Sequence, residues 1–121
     1  MRDYTKIEAW KMADDLAVAI YSGTNSFPRE EIFGLTAQIR RAAYSVAANI
    51  AEGSARGTTK DYLHFLYIAR GSLTETQYFA HLASRLKYLS ETDHKILAQK
   101  IKSAFARLHG LIKVVENEVD R

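Results

Sequence analysis

The side chains able to do chemistry are two histidine–carboxylate pairs, three serines, a glycine-flanked turn and a set of lysines and arginines. Asp61 and His64 stand three residues apart, as do Glu91 and His94. On a helix such residues share a face, so each pair could offer one oxygen and one nitrogen to a metal. A di-iron site in a helical bundle takes two Glu-x-x-His motifs and two further glutamates. Asp61-x-x-His64 is the only such spacing in its own helix, and Glu91-x-x-His94 falls in the first turn of another with no matching set. The histidines (His64, His81, His94, His109) are otherwise scattered, which predicts surface positions and no metal site. Ser45, Ser72 and Ser84 have no His/Asp arrangement spaced for nucleophilic catalysis. Neither GxGxxG nor GxxxxGK[ST] occurs, so the usual phosphate-cradling loops are missing. Gly53-Ser54-Ala55-Arg56-Gly57 is small and basic enough to hold a phosphate, but reads more simply as a turn between helices. Without cysteine there is no disulfide, thiolate ligand or Cys nucleophile. The expectation is a protein with no catalytic residues and no cofactor.

The cations are the remaining candidates. Net charge is +3, a weak argument for nucleic acid by itself, but the charges are unevenly placed. Residues 85 to 113 hold Arg85, Lys87, Lys95, Lys100, Lys102, Arg107 and Lys113 against only Glu91 and Asp93. At helical spacing Lys95, Lys102, His109 and Lys113 align on one flank, and Lys100 and Arg107 on the other. A solvated lysine face and a phosphate-binding surface both fit that pattern. If the chain oligomerises, each copy repeats the charges, and nucleic acid would respond through counterion release. Arg85, Lys95, Lys102, Arg107 and Lys113 are the candidate phosphate contacts. Tyr62, Tyr67, Tyr78 and Tyr88 could stack on bases, but their helical spacing places most of them in a core or interface.

Helices must position these groups. The chain has 121 residues, one proline and six glycines, which suits a single domain spanning 1–121 and poor in turns. Ile7, Trp10, Ala13, Ala17 and Ile20 predict a helix from Thr5 to Ser22, ended by Ser22-Gly23-Thr24-Asn25-Ser26. Pro28 suits the start of a helical turn, with Glu30 and Glu31 near its positive end. A second helix is expected over Leu35–Ala55, and a third from Thr58 to about Tyr88, opened by a Thr58/Asp61 capping box. Ser90 and Asp93 cap a fourth that runs to about Val119. Short connectors make neighbours antiparallel. The expected fold is all-α, an up-down-up-down antiparallel four-helix bundle. No apolar run reaches the length of a membrane span and the N-terminus lacks an apolar leader core, so a soluble, cytoplasmic protein is expected.

The second and third helices carry the most specific pattern. Between Gly34 and Gly53 a polar line, Arg41, Ser45, Asn49 and Glu52, interrupts a helix otherwise apolar nearly all round. Such a helix is covered on more than one side, which points to subunit contacts. Turning the chain back around residues 54 to 60 sets Arg41 opposite Glu75, Ser45 opposite Gly71 and Glu52 opposite His64. We therefore expect an Arg41–Glu75 ion pair, Glu52 near His64 or Lys60, and a close backbone approach at Gly71. Arg41, Ser45, Asn49, Glu52, Gly71 and Glu75 form the candidate assembly set.

Gly34-Leu35-Thr36, Ile39-Arg40-Arg41-Ala42, Asn49-Ile50-Ala51-Glu52-Gly53 and Ala69-Arg70-Gly71-Ser72-Leu73-x-Glu75 together carry a family resemblance. So do Ala9-Trp10-Lys11 and Phe27-Pro28-Arg29-Glu30-Glu31 near the start. Over residues 3 to 88 the chain resembles the small bundle proteins named for members encoded in intervening sequences of 23S ribosomal RNA genes. The resemblance implies a ring-shaped homopentamer with no catalytic residues. It is also similar in design to the accessory protein of diversity-generating retroelements, a basic pentamer that works with a reverse transcriptase. RNA or DNA, or a partner protein such as that enzyme, are the partners this implies.

Overall fold

A computed structural model describes residues 2–119 of the chain. It contains four α-helices: α1 (Glu8–Thr24), α2 (Leu35–Ser54), α3 (Thr59–Arg85) and α4 (Glu91–Val119). Short 3-10 turns at Tyr4–Lys6 and Arg29–Glu31 precede α1 and α2. There is no strand among the described residues.

Side-chain caps explain several of the boundaries. Asp3 accepts from the Thr5 N–H at 3.0 Å and holds a separate turn there. Ile7 is then extended, so α1 begins at Glu8 and not at Thr5. It also runs past Ser22, because the Thr24 hydroxyl donates to the Ile20 carbonyl at 2.8 Å. That bond draws a turn-forming side chain into the helix. Pro28 caps the second 3-10 turn, and Glu31 reaches on to accept from the Leu35 N–H at 3.2 Å, satisfying a free donor at the start of α2. Thr58 and Ser90 accept from the Asp61 and Asp93 N–H groups at 3.1 Å and 3.0 Å, as the capping pattern predicts. The C-terminal end of α3 comes earlier than Tyr88. Lys87 takes a left-handed conformation (φ 63°), and the N–H groups of Lys87 and Tyr88 close back on Ser84 and Ala83. This closure ends a helix by satisfying its last carbonyls, normally with glycine at the left-handed position.

Each helix packs on two others: α1 on α2 and α4, α3 on α2 and α4. The diagonal pairs make no close backbone approach among the described residues. The buried stripes meet along the axis, with Leu16 and Ile20 from α1, Ile39, Val46 and Ile50 from α2, Leu66 and Leu73 from α3, and Ile101, Leu108 and Ile112 from α4. Burying each such side chain favours folding by roughly 1.5–3 kcal/mol. The stripes also hold small buried residues, Ala43 and Ala47 on α2 and Ala69, Ala80 and Ala83 on α3. Polar groups in this layer are satisfied locally; the buried Thr76 hydroxyl donates to the Ser72 carbonyl at 2.9 Å.

Two side chains, Tyr88 and Arg2, knit the connectors. The Tyr88 hydroxyl donates to Glu31 at 2.9 Å, and its ring lies 5.5 Å from that of Phe27. The α3–α4 turn is thereby tied to the α1–α2 connector. At the α2–α3 turn, Arg2 donates to the Ser54 and Arg56 carbonyls and stacks over the Tyr62 ring.

Candidate nucleic-acid interface

The outer face of α4 positions most of the predicted cations. Lys95, Lys102 and Lys113 are all exposed. Seven residues advance a helix almost two turns and eighteen advance it five, so the three lysines share one sector. That sector points away from the core, and the contact with α3 lies to one side of it, where the Tyr67 hydroxyl donates to Glu116 at 2.6 Å. Arg70 on α3 and Phe105, Leu108 and His109 on α4 line an apolar hollow of about 330 Å³. Lys95 has Glu91 at 4.0 Å, while Lys102 and Lys113 form no ion pair among the described residues.

The predicted set of five divides. Arg107 lies on the opposite flank of α4, lining a hollow with Ile7, Glu8 and Leu111 beside α1. Arg85 sits in the last turn of α3, at the end of the bundle. Arg70 on α3, absent from the sequence-based set, lines the hollow at the α3–α4 contact. Its guanidinium lies 4.9 Å over the Tyr67 ring. The signal available was its spacing of three from Tyr67, which puts the two on one face.

On α2 the assembly residues are arranged partly as expected. Arg41 reaches Glu75 at 3.3 Å and also Gln38 at 3.4 Å. The pair is about half exposed (43% and 48%), so it contributes no more than about 1 kcal/mol. Glu52 departs from the prediction: it binds Arg56 at 2.9 Å, and His64 sets its ring edge-on to Phe65 at 5.8 Å. Arg56, in the turn just beyond the end of α2, is close enough in the chain to fold back on Glu52. Asn49 donates to the Ser45 carbonyl at 2.8 Å. The close approach expected at Gly71 is also displaced. A Cβ there would meet nothing within 4 Å, whereas one at Gly53 would fall 2.7 Å from the Phe65 Cβ. Ser72, one position on, is the small residue of α3 that faces inward. Gly71 is itself exposed, as is Ile68 (40%) three residues earlier on α3.

Among the described residues no three histidine or acidic side chains gather as a metal would require. No described helix is long and apolar enough to cross a membrane. Fold and surface thus define a four-helix bundle whose distinctive features lie on its outer faces. The chain belongs to the 23S rRNA-intervening sequence protein family, whose model matches residues 5–110. Its structure is similar to the crystal structure of a protein of unknown function from the S23 ribosomal protein family of Bacteroides thetaiotaomicron. The two share 24% identity with a TM-score of 0.80, over 87% of this chain and 95% of that one. No curated protein matches the sequence.

Proposed function

We propose that this protein is a non-enzymatic, homo-oligomeric scaffold of the cytoplasm that engages RNA or a ribonucleoprotein along its α3–α4 face. The observation that carries the reading is Lys95, Lys102 and Lys113 in one exposed sector of α4, with an apolar hollow lined by Arg70 and His109 on the side toward α3. Cations spaced along a groove track phosphates, and a hollow with an aromatic wall accepts a base. Subunits meet through the outer surfaces of α2 and α3, where Tyr44 on α2 and Ile68 and the uncrowded Gly71 on α3 are exposed. A pentameric ring, as the family resemblance implies, repeats the α4 charges around its circumference.

Gel shift with RNA at low salt tests the interface. Binding should weaken steeply as salt rises, and replacing Lys95, Lys102 and Lys113 together by alanine should reduce the logarithmic salt slope by about 2–3. No affinity at low salt, or affinity indifferent to salt, ends this reading. Light scattering tests assembly: a monomer at micromolar concentration contradicts it.

A second reading is recruitment of a partner enzyme such as a reverse transcriptase. It is favoured by Phe33, which is 92% exposed beside Ile32 on the α1–α2 connector, an apolar projection suited to a protein surface. Partner capture that survives reversal of the α4 charges would select it.

A further inference from the structure

A cavity of about 350 Å³ opens between the α1–α2 connector and the start of α2. Its polar wall is Arg29, Thr36 and Arg40, and Phe27, Pro28 and Ile32 form the apolar side. Thr36 is only 6% exposed as a residue, and its hydroxyl makes no hydrogen bond within the described residues. No buried side-chain oxygen among them lacks a partner, so this hydroxyl is accessible to solvent and open to a guest.

Arg40 is fixed in place. Its Nε donates to the Thr24 hydroxyl at 2.8 Å, its Nη2 to Asn25 at 3.3 Å and to the Tyr21 carbonyl at 3.4 Å. Its guanidinium also lies 4.6 Å over the Tyr21 ring. These contacts leave Nη1 unused and spare a guest the entropy of ordering the side chain. Arg29 is exposed and adds a second guanidinium. No acidic residue lines the cavity; the nearby Glu31 is occupied by the Leu35 N–H and the Tyr88 hydroxyl.

Two guanidiniums and a free hydroxyl without a counter-anion match a group carrying close to two negative charges. A phosphate monoester carries about −1.5 to −2 near neutral pH, more than a carboxylate. We infer that this cavity is a binding site for a phosphate monoester, with Arg29, Arg40 and Thr36 holding the phosphate and the Phe27, Pro28 and Ile32 wall covering the organic part. A mononucleotide is the size class such a cavity takes. The same chemistry is carried by a free nucleotide and by the 5′-phosphate end of RNA. The site is distant in the chain from the α4 lysines and does not depend on them.

The full-length protein can be titrated with inorganic phosphate, with AMP and with sodium acetate, following backbone and arginine Nε resonances by NMR. AMP should shift Thr36 and Arg40, phosphate should do so more weakly, and acetate at equal concentration should not. Arg29→Gln removes one charge-assisted contact and should weaken AMP binding about tenfold. Thr36→Val keeps the shape and should weaken it severalfold. A short RNA with and without a 5′-phosphate separates the sources: discrimination lost in Arg29→Gln assigns the RNA end, and AMP binding without discrimination assigns the free nucleotide. The site is overturned if neither phosphate, AMP nor the phosphorylated RNA moves Thr36 or Arg40, or if acetate moves them equally. It is also overturned if AMP binding survives Arg29→Gln but is lost when the α4 lysines are replaced. Amide spectra of the variants show whether each has kept its fold.

Discussion

Gly53 and Gly71 are both helical glycines in the α2–α3 pair, and they meet opposite surroundings. A Cβ at Gly53 would lie 2.7 Å from the Phe65 Cβ and 3.1 Å from the Tyr62 ring; at Gly71 it would touch nothing within 4 Å. Direction accounts for the difference. Gly53 continues the buried steps of Val46 and Ile50 and points at α3, whereas Gly71 lies beside the inward pair Ser72 and Leu73 and points outward. A glycine inside a helix costs about 1 kcal/mol in propensity wherever it stands. At Gly53 that cost permits two helices to touch. At Gly71 nothing within the subunit requires it.

The largest effect that separates the two is expected at Gly53. Gly53→Ala places a methyl against Cβ and backbone atoms rather than a flexible side-chain tip. Overpacking of this kind costs about 1–3 kcal/mol, against roughly 1 kcal/mol recovered in propensity. A net loss of about 1–2 kcal/mol should appear in urea unfolding. An unchanged midpoint would mean that α2 and α3 can slide apart there. Gly71→Ala should do the reverse and raise the stability of the subunit by up to about 1 kcal/mol. Should it weaken association in light scattering while stabilising the subunit, another copy covers Gly71. Should it destabilise the subunit itself, the open surroundings assigned to Gly71 are wrong.

The contrast also shows how far sequence carries. Helix number, order and core stripes were legible because apolar residues recur at three- and four-residue steps, and the caps at Thr58 and Ser90 are short-range chemistry. The pairing of Arg41 with Glu75 was legible from hairpin register alone. Boundaries were less so: Thr24 looks like a turn residue, and its bonds to the Ile20 and Tyr21 carbonyls and its contact from Arg40 hold it in the helix. Lys87 carries no sign that it adopts a left-handed conformation. Among the candidate cations, spacing placed Lys95, Lys102 and Lys113 together, but the hollow that Arg70 lines with Phe105 and His109 is a helix–helix contact that no local pattern describes. The cavity at Thr36 needed the same information: Thr36 and Arg40 are neighbours four apart on α2, but Arg29 joins them only when the connector folds over that helix.

A smaller effect tests whether the open part of the α2–α3 pair is held by charge. Arg41 and Glu75 are each about half exposed, and Gln38 shares the guanidinium. A double-mutant cycle with Arg41→Ala and Glu75→Ala should give a coupling of about 0.2–1 kcal/mol that shrinks as salt rises. A coupling well above that range would show that the pair is desolvated in the assembled state, and so would place it in the subunit contact.

The finest test uses alkali to distinguish the tight joint from the far end of the bundle. Tyr62, packed against Gly53, has its phenol pushed above the ordinary value near 10 by burial, partly offset by Arg2. Tyr88 is raised by its hydrogen bond to Glu31, with burial and the same carboxylate's charge adding to it. In both cases the folded state holds the proton more tightly than the unfolded chain. The stabilisation is therefore fully present below about pH 10 and is lost as pH rises through the folded value. Urea midpoints should stay level to about pH 10 and then fall. Tyr62→Phe should remove more of that fall than Tyr88→Phe, because Tyr62 is buried in the joint and Tyr88 reaches solvent. The opposite order would move the alkaline weak point from the α2–α3 joint to the α3–α4 turn, where Tyr88 binds Glu31 across the connector. The crowding at Gly53 would then have to be held by Phe65 alone.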